Sequence, residues 1–188
     1  MRIIMVRHGI SLANEKRIYS PDDIQLSEIG KEGLLKTKDL LKNFTWEKSF
    51  SSPLNRAIET SEILGLNDYE LDSRIQEMNF GKYKGVSFLE VRTAHREEMV
   101  KWKTDDTHIV TDGESRFMVY KRVVDFLDEK VEKGEDILMV THEGVIRLAF
   151  SWALGSMSHY YRFKIQNASI NIIEIVNGKS FITKVNYI

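Results

Sequence analysis

Two histidines in this chain stand where ligand chemistry is easiest to arrange. Each follows a short apolar run and has a glycine within the next two positions. The first is Val6-Arg7-His8-Gly9, the second Val140-Thr141-His142-Glu143-Gly144. Runs such as Ile3–Val6 and Ile137–Val140 read as buried parallel strands. Both imidazoles would then leave the carboxyl ends of strands, where open α/β sheets bind ligands. The two histidines are 134 positions apart, so they meet only if the fold makes their strands neighbours. Gly9 and Gly144 would let backbone N–H groups approach a ligand. A helix after His142 would offer its N-terminus to an anion. Arg7, and Arg56 within Ser52-Pro53-Leu54-Asn55-Arg56-Ala57, add positive charge to the same region. Guanidinium forks match phosphate oxygens in bidentate fashion. Two arginines and two imidazoles, with no thiolates and no cage of carboxylates, suit a phosphoryl group better than a metal ion.

The whole chain supports a local site and no broader one. It has 188 residues, 42% hydrophobic and 29% charged, enough apolar material for a packed core and too much for a disordered chain. Lys and Arg number 27 against 28 Asp and Glu, a net charge of −1. Such a balance gives no general attraction for nucleic acid or an anionic membrane, so neither is expected as a partner. There is no cysteine, which removes disulfides, thiolate metal sites and cysteine nucleophiles together. No apolar run approaches the ~20 residues of a membrane span, and Met1–Val6 is too short for a signal h-region. The expected compartment is the cytoplasm, and a homodimer is left open. With two prolines and no repeat or linker, residues 1–188 read as one domain.

The elements that would position these residues alternate. After the first strand, Leu34, Thr37, Leu41 and Phe44 repeat at helical spacing within Ser27–Phe44. Lys48–Ser51 is a weak strand. A helix from Pro53 to Leu64 would stop at Gly65. Residues 72–86 read as an irregular loop. Ser87 with Glu90 forms a capping box, opening a helix whose stripe is Phe88, Val91, His95, Met99 and Trp102. Phe117, Tyr120, Val124, Leu127 and Val131 form a clear amphipathic stripe. The Ile137–Val140 strand is followed by a helix from Val145 to Leu154. Asn177-Gly178 between two β-rich runs predicts a hairpin. The sum is an α/β fold, three layers deep, with a mostly parallel sheet and an antiparallel edge hairpin.

Several motifs occur together and in order. They are Arg7-His8-Gly9 with Asn14, Leu26-Ser27-Glu28-Ile29-Gly30, and Ser52–Ala57 with Thr60. Then come Glu77-Met78-Asn79-Phe80-Gly81 with Gly85, Gly113-Glu114-Ser115, and Val140–Gly144. One Arg-His-Gly tripeptide carries little, but this ordered set spread over most of the chain resembles the histidine phosphatase superfamily, which includes the cofactor-dependent phosphoglycerate mutases. The resemblance implies a phosphoglycerate mutase-like fold and a phosphohistidine mechanism without metal or cofactor. It gives His8 the role of nucleophile. Arg7, Arg56 and His142 would stabilise the equatorial phosphoryl oxygens, and Glu77 would be the proton donor. Asn14 would bind the phosphoryl group, with Ser11, Gly144 and Ser115 as further substrate contacts. Two positions depart from the family pattern. Ile10-Ser11 stands where Glu-Thr is usual, and Glu143 where many relatives have glycine or asparagine.

Hydrolase and mutase differ in what accepts the phosphoryl group. Mutase relatives carry a longer insertion between the acidic Glu and the Gly-Glu-Ser motif, rich in basic residues. Here 35 residues separate Glu77 from Gly113, and Arg92, Arg96, Lys101 and Lys103 are offset by Glu90, Glu97, Glu98, Asp105, Asp106 and Asp112, so the stretch is not a net basic clamp. Hydrolysis of a small phosphorylated metabolite is therefore the reading adopted, with residues 86–112 as a lid shaped by Phe88, Trp102 and His95. The alternatives kept are a cofactor-dependent phosphoglycerate mutase and a catalytically weak module that binds a phosphorylated ligand. Within the phosphatases, Glu77–Gly81, Trp102 and Gly144-Val145-Ile146-Arg147 look similar to α-ribazole-5′-phosphate phosphatases. Broad-specificity phosphatases share much of this pattern.

Overall fold

The two apolar runs form adjacent central strands, and their alternation explains the layers on either side. In the computed structural model, which describes residues 1–188, the first elements are β1 (Arg2–Arg7), α1 (Leu12–Lys16), α2 (Glu28–Leu41), β2 (Lys48–Ser51) and α3 (Asn55–Leu64). Then come β3 (Glu70–Leu71), α4 (Phe88–Ala94), α5 (Arg96–Thr104), α6 (Arg116–Lys133), β4 (Ile137–Thr141) and α7 (Glu143–Ala153). The hairpin β5 (Ile170–Val176) and β6 (Lys179–Tyr187) follows. The sheet order is β3-β2-β4-β1-β5-β6. The first four of these strands are mutually parallel, while β5 pairs antiparallel with β1 and β6 with β5. The fold is mixed α/β with a mostly parallel sheet and an antiparallel hairpin at one edge, as expected.

Side chains alternate across a strand. Ile3, Met5, Ile137 and Met139 face α6 and α7, packing with Val119, Val123, Phe126 and Phe150. Ile4, Val6, Leu138 and Val140 face α2 and α3, packing with Leu34, Leu41, Ala57 and Leu64. All eight strand residues are fully buried. Each such side chain contributes about 1.5–3 kcal/mol on leaving water, which is why both faces of these strands are apolar. The β5–β6 turn uses Asn177 at φ 51° and Gly178 at φ 72°, the left-handed pair of a tight hairpin.

Three expectations change on contact with the structure. The stripe on α6 is rotated: Val119, Val123, Phe126, Leu127 and Lys130 are buried, whereas Phe117 is exposed. Lys130 enters because its ammonium lies 4.3 Å from the Phe50 ring and 5.1 Å from the Phe126 ring. The helix opened by Ser87 breaks at His95, whose φ of −123° and ψ of 42° are not helical. The break lets Val91 and Trp102 close on one small cluster with Tyr83 and Val110, leaving His95 exposed. Finally, residues 72–86, expected as an irregular loop, carry two 3-10 turns, Ser73–Ile75 and Gly81–Tyr83, and the short edge strand β3 precedes them.

Candidate active site

Strand order brings the two histidines together. β1 lies beside β4 in a register that pairs Arg7 with Thr141, and β4 lies beside β2, pairing Val140 with Ser51. The residues just past three adjacent strand ends are therefore His8, His142 and Ser52. The His8 and His142 rings lie 5.1 Å apart, centroid to centroid. His8 N–H donates to the Thr141 carbonyl at 2.9 Å, fixing the strand end.

Each imidazole has one nitrogen fixed. His8 Nδ1 lies 2.7 Å from the Gly9 carbonyl. A carbonyl only accepts, so Nδ1 carries the proton. Burial, then Arg56 and Arg7, push His8 well below the ordinary imidazole range. The ring is therefore neutral at pH 7, with its lone pair on Nε2. His142 is also fully buried and held neutral by burial, then by Arg56 and His8. Its Nε2 meets Ser52 Oγ at 2.7 Å, and its Nδ1 has no protein partner.

A cavity of about 250 Å³ opens in front of His8, lined by Arg7, Arg56, Asn14, Glu77, Glu143, Gly144 and Arg147 among others. Arg56 projects from the first turn of α3 and donates to the Pro21 carbonyl at 3.2 Å. Burial pushes its guanidinium down to about 10, which still leaves it cationic at neutral pH. Arg7 is lowered by burial and supported by Glu143, to which it is paired at 3.1 Å. The Nε atoms of Arg7, Arg56 and Arg147 are buried without a protein partner. Unsatisfied buried donors are rare in native structures. What suits the cavity to an oxyanion is the positive charge of three guanidinium groups gathered around it.

Glu77 is held by backbone donors. Its Oε1 accepts from Met78 N–H at 3.1 Å, and its Oε2 from Gly144 N–H at 3.3 Å, at the start of α7. A Cβ on Gly144 would stand 2.4 Å from Glu77 Oε1, so glycine is what lets the carboxylate sit there. The loop carrying Glu77 is tied from behind. Arg122 donates to the carbonyls of Arg74, Gln76 and Glu77 and is paired with Glu114 at 3.0 Å. Asn14 accepts from Ser11 N–H and Oγ–H at 3.0 Å each and from Asn167 Nδ2 at 3.2 Å. Its own amide NH₂ makes no hydrogen bond to protein.

The structure thus gathers Arg7, His8, Asn14, Arg56, Glu77 and Gly144 around one cavity, with His142 packed against His8 just outside its lining. Two expected substrate contacts lie elsewhere. Ser11 is fully buried as the N-cap of α1, and Ser115 is buried as the N-cap of α6. Their hydroxyls accept from helix backbone N–H groups, which is the ordinary use of serine before a helix. Gly9 also differs from expectation. Its N–H is taken by Thr60 Oγ1 at 3.1 Å, and its bare Cα allows close approach of the Gly30 carbonyl. Of the residues expected to shape a lid, Phe88 lines the cavity and Trp102 an adjoining one, while His95 lines neither and packs against Tyr83.

The sequence reading missed Ser52 as a histidine partner, Asn167 as the brace of Asn14, and Arg147, Tyr19 and Tyr160 as lining residues. Only Arg147 had a usable signal, since it stands four positions after Glu143, the spacing at which helical ion pairs form. No group of three or more His, Asp or Glu side chains is arranged to hold a metal ion, and no helix is long and apolar enough to cross a membrane.

Residues 3–188 match the profile of the histidine phosphatase superfamily, branch 1. The chain belongs to this superfamily. Phosphoserine phosphatase 1 of Hydrogenobacter thermophilus is 31% identical over 196 residues, covering 99% of this chain and 92% of that one. A 2,3-bisphosphoglycerate-dependent phosphoglycerate mutase of Thermoplasma acidophilum is 30% identical over 183 residues, covering 94% and 88%. The crystal structure of α-ribazole phosphatase from Shigella flexneri shares the fold. Its TM-score is 0.88 at 23% identity, over 99% of this chain and 96% of that chain. A histidine phosphatase with a neutral, buried imidazole at a strand end has the part that phosphoryl transfer to nitrogen demands.

Proposed function

We propose that this histidine phosphatase hydrolyses small phosphomonoesters through a phosphohistidine on His8, without a metal ion. The observation that carries the reading is the hydrogen bond from His8 Nδ1 to the Gly9 carbonyl. It leaves Nε2 as an unprotonated nucleophile beside two guanidinium groups. In the first step Nε2 attacks phosphorus, the bond to the ester oxygen breaks, and Glu77 gives its proton to the departing alcohol. In the second, Glu77 takes a proton from water, the water oxygen attacks phosphorus, and phosphate leaves with His8 restored. Arg7, Arg56 and the Asn14 amide stabilise the three equatorial oxygens, the main demand of phosphoryl transfer. His142 adds a donor if Ser52 gives its hydroxyl proton to Nε2, since Nδ1 then carries the ring proton.

Residues 86–112 act in this reading as a lid within a single domain spanning 1–188. They supply Phe88 and Trp102, and a second chamber of about 240 Å³ continues from the first, lined by Tyr19, Met78, Phe80, Met99 and Trp102. Such a wall suits a leaving group with an apolar or aromatic part. α-Ribazole 5′-phosphate, a neutral ribose bearing an aromatic base, is the specific substrate we would test first.

The test is hydrolysis of p-nitrophenyl phosphate in excess EDTA, with rapid-quench detection of acid-labile, base-stable phosphoprotein. Turnover that survives EDTA and is lost in His8→Ala, with the phosphoprotein signal, is the expected result. Full activity in His8→Ala would overturn the nucleophile assignment. Faster interconversion of 3- and 2-phosphoglycerate than hydrolysis would favour the mutase reading.

A further inference from the structure

Resting on the phosphatase reading, we infer that Glu143 is a specificity-determining residue. It selects phosphomonoesters of neutral or cationic alcohols and rejects those with a second anionic group next to the leaving oxygen.

Glu143 is the first residue of α7 and lines the cavity in front of His8. Its side chain is 29% exposed, so it faces the cavity and is not locked in the core. One carboxylate oxygen pairs with Arg7 at 3.1 Å, and the other with Arg147 one helical turn on. Arg147 would otherwise be a free cation on the cavity wall, beside Tyr160. That is where a carboxylate or second phosphate on the substrate would find a partner. Glu143 already fills that role from within the protein.

The charge balance points the same way. Three guanidinium groups, Arg7, Arg56 and Arg147, line the cavity, and Glu143 is paired with two of them, Arg7 and Arg147. Arg56 alone has no carboxylate partner, and a phosphoryl dianion takes its charge, so a further anion finds no free cation. A like charge about 6 Å from Glu143, at the effective dielectric of ~20 typical of such sites, would weaken binding by up to about 100-fold, and by less where Arg7 and Arg147 offset it. A hydroxyl or ammonium at the same place meets no such penalty.

The experiment uses two substrates that differ only in this group: glycerol 3-phosphate, ending in CH₂OH, and 3-phosphoglycerate, ending in a carboxylate. In the wild-type protein kcat/KM should favour glycerol 3-phosphate by about tenfold or more. In Glu143→Gln the ratio should collapse to within about threefold of unity, and in Glu143→Asp it should stay on the wild-type side. A merely structural role for Glu143 would lower both substrates alike and leave the ratio unmoved, which would overturn the inference. Equal or better wild-type turnover of 3-phosphoglycerate would do the same. Thermal stabilisation of the wild-type protein by each ester gives a readout that needs neither turnover nor a folded variant. Stronger stabilisation by glycerol 3-phosphate supports the inference, and equal or stronger stabilisation by 3-phosphoglycerate refutes it. Failure to hydrolyse p-nitrophenyl phosphate would instead count against the phosphatase reading.

Discussion

Gly144→Ala separates the proton donor from the rest of the site with one methyl group. The added Cβ would stand 2.4 Å from Glu77 Oε1 and 3.3 Å from the Tyr160 hydroxyl. Ordinary contact begins near 3.4 Å, so the carboxylate must retreat by about 1 Å. The retreat breaks its 3.3 Å hydrogen bond from the residue 144 N–H. Misplacing a reacting group by ~1 Å costs on the order of 10²-fold, or about 2.7 kcal/mol of barrier. The fold should not suffer, because the clash is with the far end of a flexible side chain and alanine favours a helix over glycine by up to ~1 kcal/mol. The loss should also depend on the leaving group. Glycerol must depart with a proton, whereas p-nitrophenolate can leave without one. Because kcat/KM reports steps only through departure of the alcohol, it is blind to later hydrolysis of the phosphohistidine. We expect kcat/KM to fall about 100-fold for glycerol 3-phosphate and less than about tenfold for p-nitrophenyl phosphate, with the melting temperature unchanged or raised. Equal losses on the two substrates, or no loss on either, would refute the placement of Glu77 as the acid.

Two further outcomes follow from the buried histidines. Ser52→Ala leaves His142 Nε2 without its 2.7 Å partner; an unsatisfied buried group costs about 1–3 kcal/mol of folding stability, and losing the bond that sets the ring tautomer should drop kcat about tenfold or more while KM moves little. Ser52→Thr should restore most of it, and no rescue would argue that the hydroxyl is not what matters. Folding stability should also depend on pH. Burial first, and Arg56 next, hold both imidazoles neutral in the fold far below the ordinary value of 6.5, where the unfolded chain protonates. The unfolded state then binds more protons, and stability falls as pH drops through and below about 6.5, by up to about 1.4 kcal/mol per pH unit for each histidine. Urea unfolding between pH 7.5 and 5.5 checks this, with a shallower slope expected in His142→Asn and an unchanged slope contradicting the assignment.

What the sequence discloses depends on whether the signal is local. The central strands were legible because both of their faces are buried, which leaves an unbroken apolar run. Ser87 was legible as a cap, and Asn177-Gly178 as a turn, because each acts on its own backbone. Lys130 was not, since its burial depends on the rings of Phe50 and Phe126, one of them 80 positions away. The break at His95 was hidden for a similar reason: a period of 3.6 continues through it, and only the distant pair Tyr83 and Val110 requires the chain to turn. In the site, His8 and His142 announced themselves as residues at strand ends. That their strands are neighbours has no local signature; it is set by which strands pair. Ser11 and Ser115 lie within the motifs yet serve helices, showing that a motif records the support of a site together with its chemistry. Thr60 under Gly9, Gly30 against Ile10, and Glu114 beneath Arg122 belong to the same support.

A chain with almost no net charge can bind a dianion because its charges are sorted by depth. Most of its ionic groups lie at the surface, where salt bridges contribute little and water screens them. Arg7 and Arg56 are withdrawn from water, and their field is correspondingly strong. Its first effect is visible in the protein itself, where burial and these two guanidinium groups hold both imidazoles unprotonated. The same field attracts a phosphoryl dianion. A histidine nucleophile needs both at once, since a protonated imidazole could bind phosphate but could not attack it. Lysine at position 56 would keep the charge and lose the planar fork. An arginine there serves both demands, which gives a physical reason for guanidinium groups, and not merely positive charge, beside His8.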